Sequence, residues 1–189
     1  MIVVAAVIVA LACAAASARR MYYATHATAW HPAMLLEAIG KTPDRATVDR
    51  LKALAEEDAR ADWEREFFAA LTNEDEKVRT ALVNEQLTEL DWRISKWASV
   101  PRICTRISVS FAFLLAALIM RNGLAETNDF SEATMFALVG QGLTVVFLGF
   151  MGTTFCIAAN RAARTAAKAR LEAADKVVER LESCVLPRG

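Results

Sequence analysis

Apolar and polar positions are segregated along this chain rather than interleaved. Three stretches carry almost no charge: Met1 to Ala18, Ile103 to Met120 with Arg106 near its start, and Ala133 to Ala159. The last has 27 residues and exceeds the roughly 20 needed to cross a bilayer as a helix. The middle one is the shortest strictly uncharged run, from Ile107 to Met120, and the long side chain of Arg106 can snorkel to the interface. Between the first two stretches the pattern becomes amphipathic. Val48, Leu51, Leu54, Ala55 and Ala59 recur at three and four, followed by Trp63, Phe67 and Phe68. Val78, Leu82, Leu87, Leu90 and Ile94 repeat the spacing before Trp97 and Pro101. One greasy and one charged face at that period predict helices.

The boundaries of these helices have sequence signals. Thr42-Pro43-Asp44 reads as an N-cap, an N1 proline and an early acid. Thr72 with Asp75 three residues on reads as a capping box. The helix from Glu85 to Lys96 is expected to run toward the second apolar stretch, interrupted only at Pro101. Composition agrees with an all-helical chain, since Gly (7) and Pro (4) are scarce among 189 residues. The chain is 55% hydrophobic yet 23% charged, with a mean hydropathy of +0.27. With 22 basic and 22 acidic residues the net charge is zero, so the distribution of charge matters more than its sum.

That distribution sets an orientation. Ten basic residues flank the apolar stretches on one side: Arg19, Arg20, Arg93, Lys96, Arg102, Arg106, Arg161, Arg164, Lys168 and Arg170. The connection 121–132 on the other side has only Arg121, against Glu126, Asp129 and Glu132. The positive-inside rule then places the N-terminus outside and both the large loop and the C-terminus in the cytoplasm. Ala-Ser-Ala at 16–18 offers a signal-peptidase site, but Arg19 and Arg20 follow the apolar run and no basic residue precedes it. An uncleaved anchor is expected. The resulting fold class is all-α and integral to the membrane. Its segments are a first transmembrane helix at 1–18, a cytoplasmic helical region at 19–102, and a second transmembrane helix at 103–120. A short periplasmic loop at 121–132, a third transmembrane helix at 133–159 and a basic cytoplasmic C-terminal helix at 160–189 complete it.

Candidate chemistry is sparse. Cys13, Cys104 and Cys156 lie in or at the edge of the apolar stretches and Cys184 stands alone, with no zinc-type spacing. His26 and His31 lack a nearby carboxylate or cysteine partner, and Tyr22, Tyr23 and Trp30 read as interfacial anchors. Glu56, Glu57, Asp58, Glu64 and Glu66 alternate with Arg60 and Arg65, which reads as a solvated, self-paired surface. No phosphate loop, nucleophile elbow or metal motif occurs, so no enzyme activity, cofactor or metal is expected, and no nucleic-acid partner.

The third apolar stretch is the informative one. Gly142, Val146, Gly149, Thr153, Cys156 and Asn160 follow steps of four and three, a face that is mostly small or polar. Gly152 with Cys156 adds a further pair of small residues. The second stretch matches it with Thr105, Ser108, Ala112 and Ala116. Lipid supplies no hydrophobic drive for helix association, so small residues that admit close backbones commonly supply it. Helix packing is therefore expected at Gly142, Gly149, Gly152, Cys156, Ala112 and Ala116. An ion path or a partner helix is the competing role for Thr144, Thr153, Thr154, Gln141 and Ser108. Intramembrane acids are absent, so a titrating carboxylate would have to come from another subunit.

Local sequence adds a family resemblance. ALVNEQLTELDWRISKWASVPRICTR resembles the loop-to-membrane helix of the MotA/TolQ/ExbB proton-channel family. Ala137-Leu138, Gly142-Leu143, Thr144 and Asn160-Arg161 resemble that family's third span and its basic exit. The resemblance covers roughly 81–170, and the whole chain at the level of topology. The second span departs, with Ser108 to Ala116 lacking the glycines and threonine usual there. What the resemblance implies is a homo-oligomer, a pentamer, in the bacterial inner membrane around single-span partners of the ExbD/TolR/MotB kind. The expected function is a stator-like subunit of a proton-motive-force-driven motor or energy-transducing complex. The missing second-span threonine favours the alternative, a non-conducting structural or accessory subunit of a membrane complex.

Overall fold

The computed structural model describes residues 2–40, 43–126 and 131–185, and side chains to Glu182. It is all-helical, with no strand among the described residues. The elements are α1 (Ile2–Thr25), α2 (Pro32–Ile39), α3 (Arg45–Glu57), α4 (Asp62–Leu71), α5 (Glu76–Ser95), α6 (Val100–Glu126) and α7 (Glu132–Val185). Three helical stretches, Ile2–Thr25, Glu76–Glu126 (whose apolar part is α6) and Glu132–Glu182, are long and apolar enough to cross a membrane. They point to a membrane protein. The chain forms two compact units, one of 1–22 with 97–163 and one of 23–96 with 164–189.

The first unit inverts the soluble pattern. Many of its large apolar side chains face outward, among them Val4, Ile8, Leu11, Phe113, Leu143 and Phe147, while most of the residues inside are small. Ala6, Leu115, Ile119 and Val145 form one buried cluster, and Cys13, Cys104 and Cys156 a second. Three cysteines distant in sequence thus converge from α1, α6 and α7.

The second unit has the core of a soluble helical domain. Leu35 and Ile39 of α2, Val48, Leu51 and Ala55 of α3, and Trp63, Phe67, Phe68 and Leu71 of α4 pack together. Val83, Leu90 and Ile94 of α5 and Ala174, Val177, Val178 and Leu181 of α7 join them. Trp63 stacks on Phe67 at 5.1 Å between centroids, and Phe67 meets Phe68 edge-on at 5.4 Å. Offset and edge-on pairs of this kind add to the stabilisation that burial alone provides.

Several expected boundaries shift. Thr42 lies outside the described residues, and Pro43 precedes a helix that starts at Arg45 with Asp44 as N-cap. Thr72 is not an N-cap. Its hydroxyl donates to the Phe68 carbonyl at 3.0 Å and closes α4 instead. Asp75 is the cap of α5, accepting from the Lys77 and Val78 amides at 2.9 and 3.4 Å. Its extended backbone (φ −77, ψ 116) aims the carboxylate at those amides. The single periodic run from Val48 to Phe68 is two helices, because Asp58 ends α3 and its Oδ1 accepts from the Arg60 amide at 2.9 Å.

Helix α2 has no counterpart in the periodicity. Its signal is local: Pro32 at N1, and His31 as N-cap with Nδ1 accepting from the Ala33 amide at 3.3 Å. The break between α5 and α6 also lies elsewhere than Pro101, which sits in the first turn of α6, where its missing N–H costs nothing. The turn is made at Lys96–Ser99, with Trp97 at φ 68. The Arg19 guanidinium lies 4.9 Å from the Trp97 ring centre and helps to hold this uncommon backbone.

Candidate functional site

The small face of α7 is used within the first unit. Val145, Gly149, Gly152, Cys156, Ala159 and Ala163 line its buried side. A Cβ on Gly149 would collide with the Cβ of Ala112 and lie 3.1 Å from the Ser108 carbonyl oxygen. One on Gly152 would meet Ser108 Oγ at 2.8 Å and Ala10 Cβ at 3.3 Å. Both glycines are therefore required by close helix approach. The buried Ser108 hydroxyl donates to the Gly149 carbonyl at 3.0 Å, and the Cys156 thiol donates to the Cys13 carbonyl at 3.6 Å. Such bonds tie the helices where lipid offers no partner.

Ser108, Ala112, Gly149, Gly152 and Cys156 are thus brought together. Gly142 is buried too, but no side chain comes within 4 Å of where its Cβ would be. Ala116 is half-buried, and Val145 rather than Val146 occupies the buried line.

Gln141, Thr144 and Thr154 are exposed on α7, among Leu143, Phe147, Met151 and Phe155. The Thr144 hydroxyl donates to the Gly140 carbonyl at 2.8 Å, and Thr154 to Phe150 at 2.9 Å. Each hydroxyl keeps acceptor capacity while its proton is held one turn back. Thr153 differs: its Oγ1 is buried and makes no hydrogen bond. No group of three metal-ligating side chains occurs among the described residues.

The second unit contains a polar knot with no expected counterpart. Glu64, expected on a solvated surface, is 1% exposed. Residues 64, 67, 68 and 71 share one helix face, and that face is buried. Its Oε1 accepts from the Trp30 amide at 2.8 Å, while Oε2 is buried without a partner. Burial pushes its pKa above the ordinary carboxylate value, and the Trp30 amide partly offsets this.

Arg170, counted among the basic flanks, is 5% exposed. It donates to Thr28 Oγ1 at 2.8 Å and to the Thr25 carbonyl. Burial lowers its pKa, and the Glu64 carboxylate pulls in the opposite direction. Thr28 in turn donates to the Trp30 carbonyl at 2.7 Å, and Trp30 Nε1 to Asp58 Oδ2 at 3.2 Å. His31 beside it has its pKa lowered, by burial first and by Arg170 second. The glutamate at three and four residues from two phenylalanines was the available signal for this knot.

Compared with family models, with curated proteins and with solved structures, the chain matches none.

Proposed function

We propose that this chain is a stator-like subunit of a proton-motive-force-driven motor or energy-transducing complex. In this reading it forms a pentameric ring in a bacterial inner membrane, N-terminus outside, around single-span partner helices. One observation carries it. The chain's own packing uses Ser108, Ala112, Gly149, Gly152 and Cys156, and leaves Gln141, Thr144 and Thr154 outward on an apolar helix. Outward polar groups on such a helix are costly in lipid and favour a hydrated or protein-lined neighbour. The partner must then supply the titrating carboxylate.

A second reading, a non-conducting structural or accessory subunit, draws on a different observation. Thr144 and Thr154 both satisfy their protons on their own helix. Purification from native membranes separates the two. Five copies enclosing a single-span protein with a membrane aspartate, and proton uptake after reconstitution, are expected for the stator. A complex without such a partner, inert to a proton gradient, overturns it in favour of the scaffold.

A further inference from the structure

A cavity of about 300 Å3 opens in the second unit where α3 faces the turn between α4 and α5. That volume lies at the lower end of small-ligand pockets, about 300–1,000 Å3, but those are mostly apolar. This one is lined almost wholly by polar and charged side chains, with Val48 the exception.

The charges are unevenly placed. Arg79 is 7% exposed and Lys52 half-buried, so the two least accessible charged groups are both cations. Arg79 makes one side-chain hydrogen bond, to the Asn73 carbonyl at 3.3 Å. A guanidinium carries five N–H donors, so most of its capacity is unmet by the described residues. Lys52 makes one, to Thr72 Oγ1 at 3.3 Å, and that hydroxyl already donates to Phe68.

The neutralising acids stand apart. Asp49 and Glu74 line the same cavity but are exposed, as is Arg45. Among the described residues neither Arg79 nor Lys52 has a carboxylate within 4.0 Å, unlike Arg65 with Asp62, Arg93 with Glu89 and Lys168 with Glu172. A nearly buried guanidinium without a carboxylate is costly unless something else compensates it. A planar fork beside an ammonium matches two or three oxygens of one oxyanion, bound with charge-assisted hydrogen bonds. The acids at the rim disfavour long polyanions, so the ligand is small.

We infer that this cavity binds a small oxyanion, a phosphate or carboxylate group, held by Arg79 and Lys52. The site is independent of ring assembly and of ion conduction. Thermal unfolding of the full chain in detergent tests it, with inorganic phosphate, glycerol 3-phosphate or succinate titrated at fixed ionic strength against chloride. A saturable rise in midpoint is expected. Response to both phosphates and not to succinate assigns a phosphate group, response to the ester alone an organic phosphate, and response to succinate alone a carboxylate.

Arg79→Gln should weaken binding roughly ten- to a hundred-fold, the loss typical of a charge-assisted bond. Lys52→Gln should weaken it about tenfold, and because the side chain is half-exposed the fold should survive the change. No saturable response to any of the three anions overturns the inference. So does a response that Lys52→Gln leaves unchanged, which holds even if Arg79→Gln fails to fold.

Discussion

The hydroxyl of Ser108 donates to the backbone carbonyl of Gly149 at 3.0 Å. A carbonyl inside a helix already accepts from the amide four residues on, so this is a second bond to it from a neighbouring helix. The bond is possible only because residue 149 has no side chain to hold α6 away. Side-chain bonds between helices in lipid are modest, averaging about 0.6 kcal/mol. The larger contribution is the close contact of Gly149 and Ala112 that the bond accompanies.

Gly149→Ala should therefore destabilise the chain by about 1–3 kcal/mol, the usual cost of overpacking. Gly142→Ala is the matched control on the same helix, with nothing within 4 Å of the new methyl. It should be neutral, or stabilising by up to about 1 kcal/mol through helix propensity. Thermal unfolding in detergent compares the two. Equal effects would remove the close-approach account.

Thr144 is exposed and bonded only to its own helix, so Thr144→Val should change stability by no more than about 0.5 kcal/mol. If the hydroxyl turns from the Gly140 carbonyl to donate to a partner carboxylate, the same change removes a charge-assisted bond. Proton-driven output should then fall roughly ten- to a hundred-fold in the reconstituted complex, with assembly on a native gel unchanged. Thr144→Ser should retain most of it. A Val variant with full output would select the scaffold reading.

Glu64 makes stability depend on pH. Burial raises its pKa in the fold above the ordinary 4.5, so the folded chain holds that proton more tightly than the unfolded chain does. Its contribution is therefore full below about pH 4.5 and is lost as pH rises through the folded value. His31 acts in the opposite sense, since a lowered pKa withdraws stability as pH falls below 6.5. Glu64→Gln isolates the first effect by leaving His31, Asp58 and Arg170 in place. The variant should match wild type at pH 4 and exceed it at pH 7, measured by chemical denaturation across that range. A constant difference at every pH would refute the assignment.

Arg170 reaches two acceptors at once, Thr28 Oγ1 and the Thr25 carbonyl. A lysine keeps the charge but not the fork. Arg170→Lys should cost about 1–3 kcal/mol, leaving one buried acceptor unmet. Thr28→Val should cost at least as much, because it removes two bonds, one from Arg170 and one to the Trp30 carbonyl, and leaves a buried guanidinium N–H unmet. Equilibrium unfolding of both variants orders them, and the reverse order would contradict this geometry.

The apolar stretches were legible because membrane-length runs without charge have few other uses. The small face of α7 was legible as a pattern, but the order of its steps of three and four was not: Val145, Gly152 and Ala159 are buried where the line through Val146, Thr153 and Asn160 was expected. Partners were not legible. Nothing in the spacing says that Gly149 meets Ala112 of α6 while Gly152 also meets Ala10 of α1. The helix breaks at Asp58 and Trp97 were missed for another reason. Neither is marked by glycine or proline: Asp58 turns the chain by accepting from the Arg60 amide and also receives the Trp30 indole, and the Trp97 ring lies beside the Arg19 guanidinium. Glu64 looks like a surface residue by its charge alone, whereas its helical phase with residues 67, 68 and 71 marks its face as buried.

Trp30 belongs to no helix, yet its amide, indole and carbonyl are bound to Glu64, Asp58 and Thr28 respectively. Hydrogen exchange responds to whether a bond opens, whatever the secondary structure around it. The Trp30 amide should thus exchange at the pace of α4, and far more slowly than other irregular backbone. Its indole would give the same event an optical signal: loosening of the 26–31 segment would appear as a change in tryptophan emission only when the corner at Asp58 and the first turn of α4 release together.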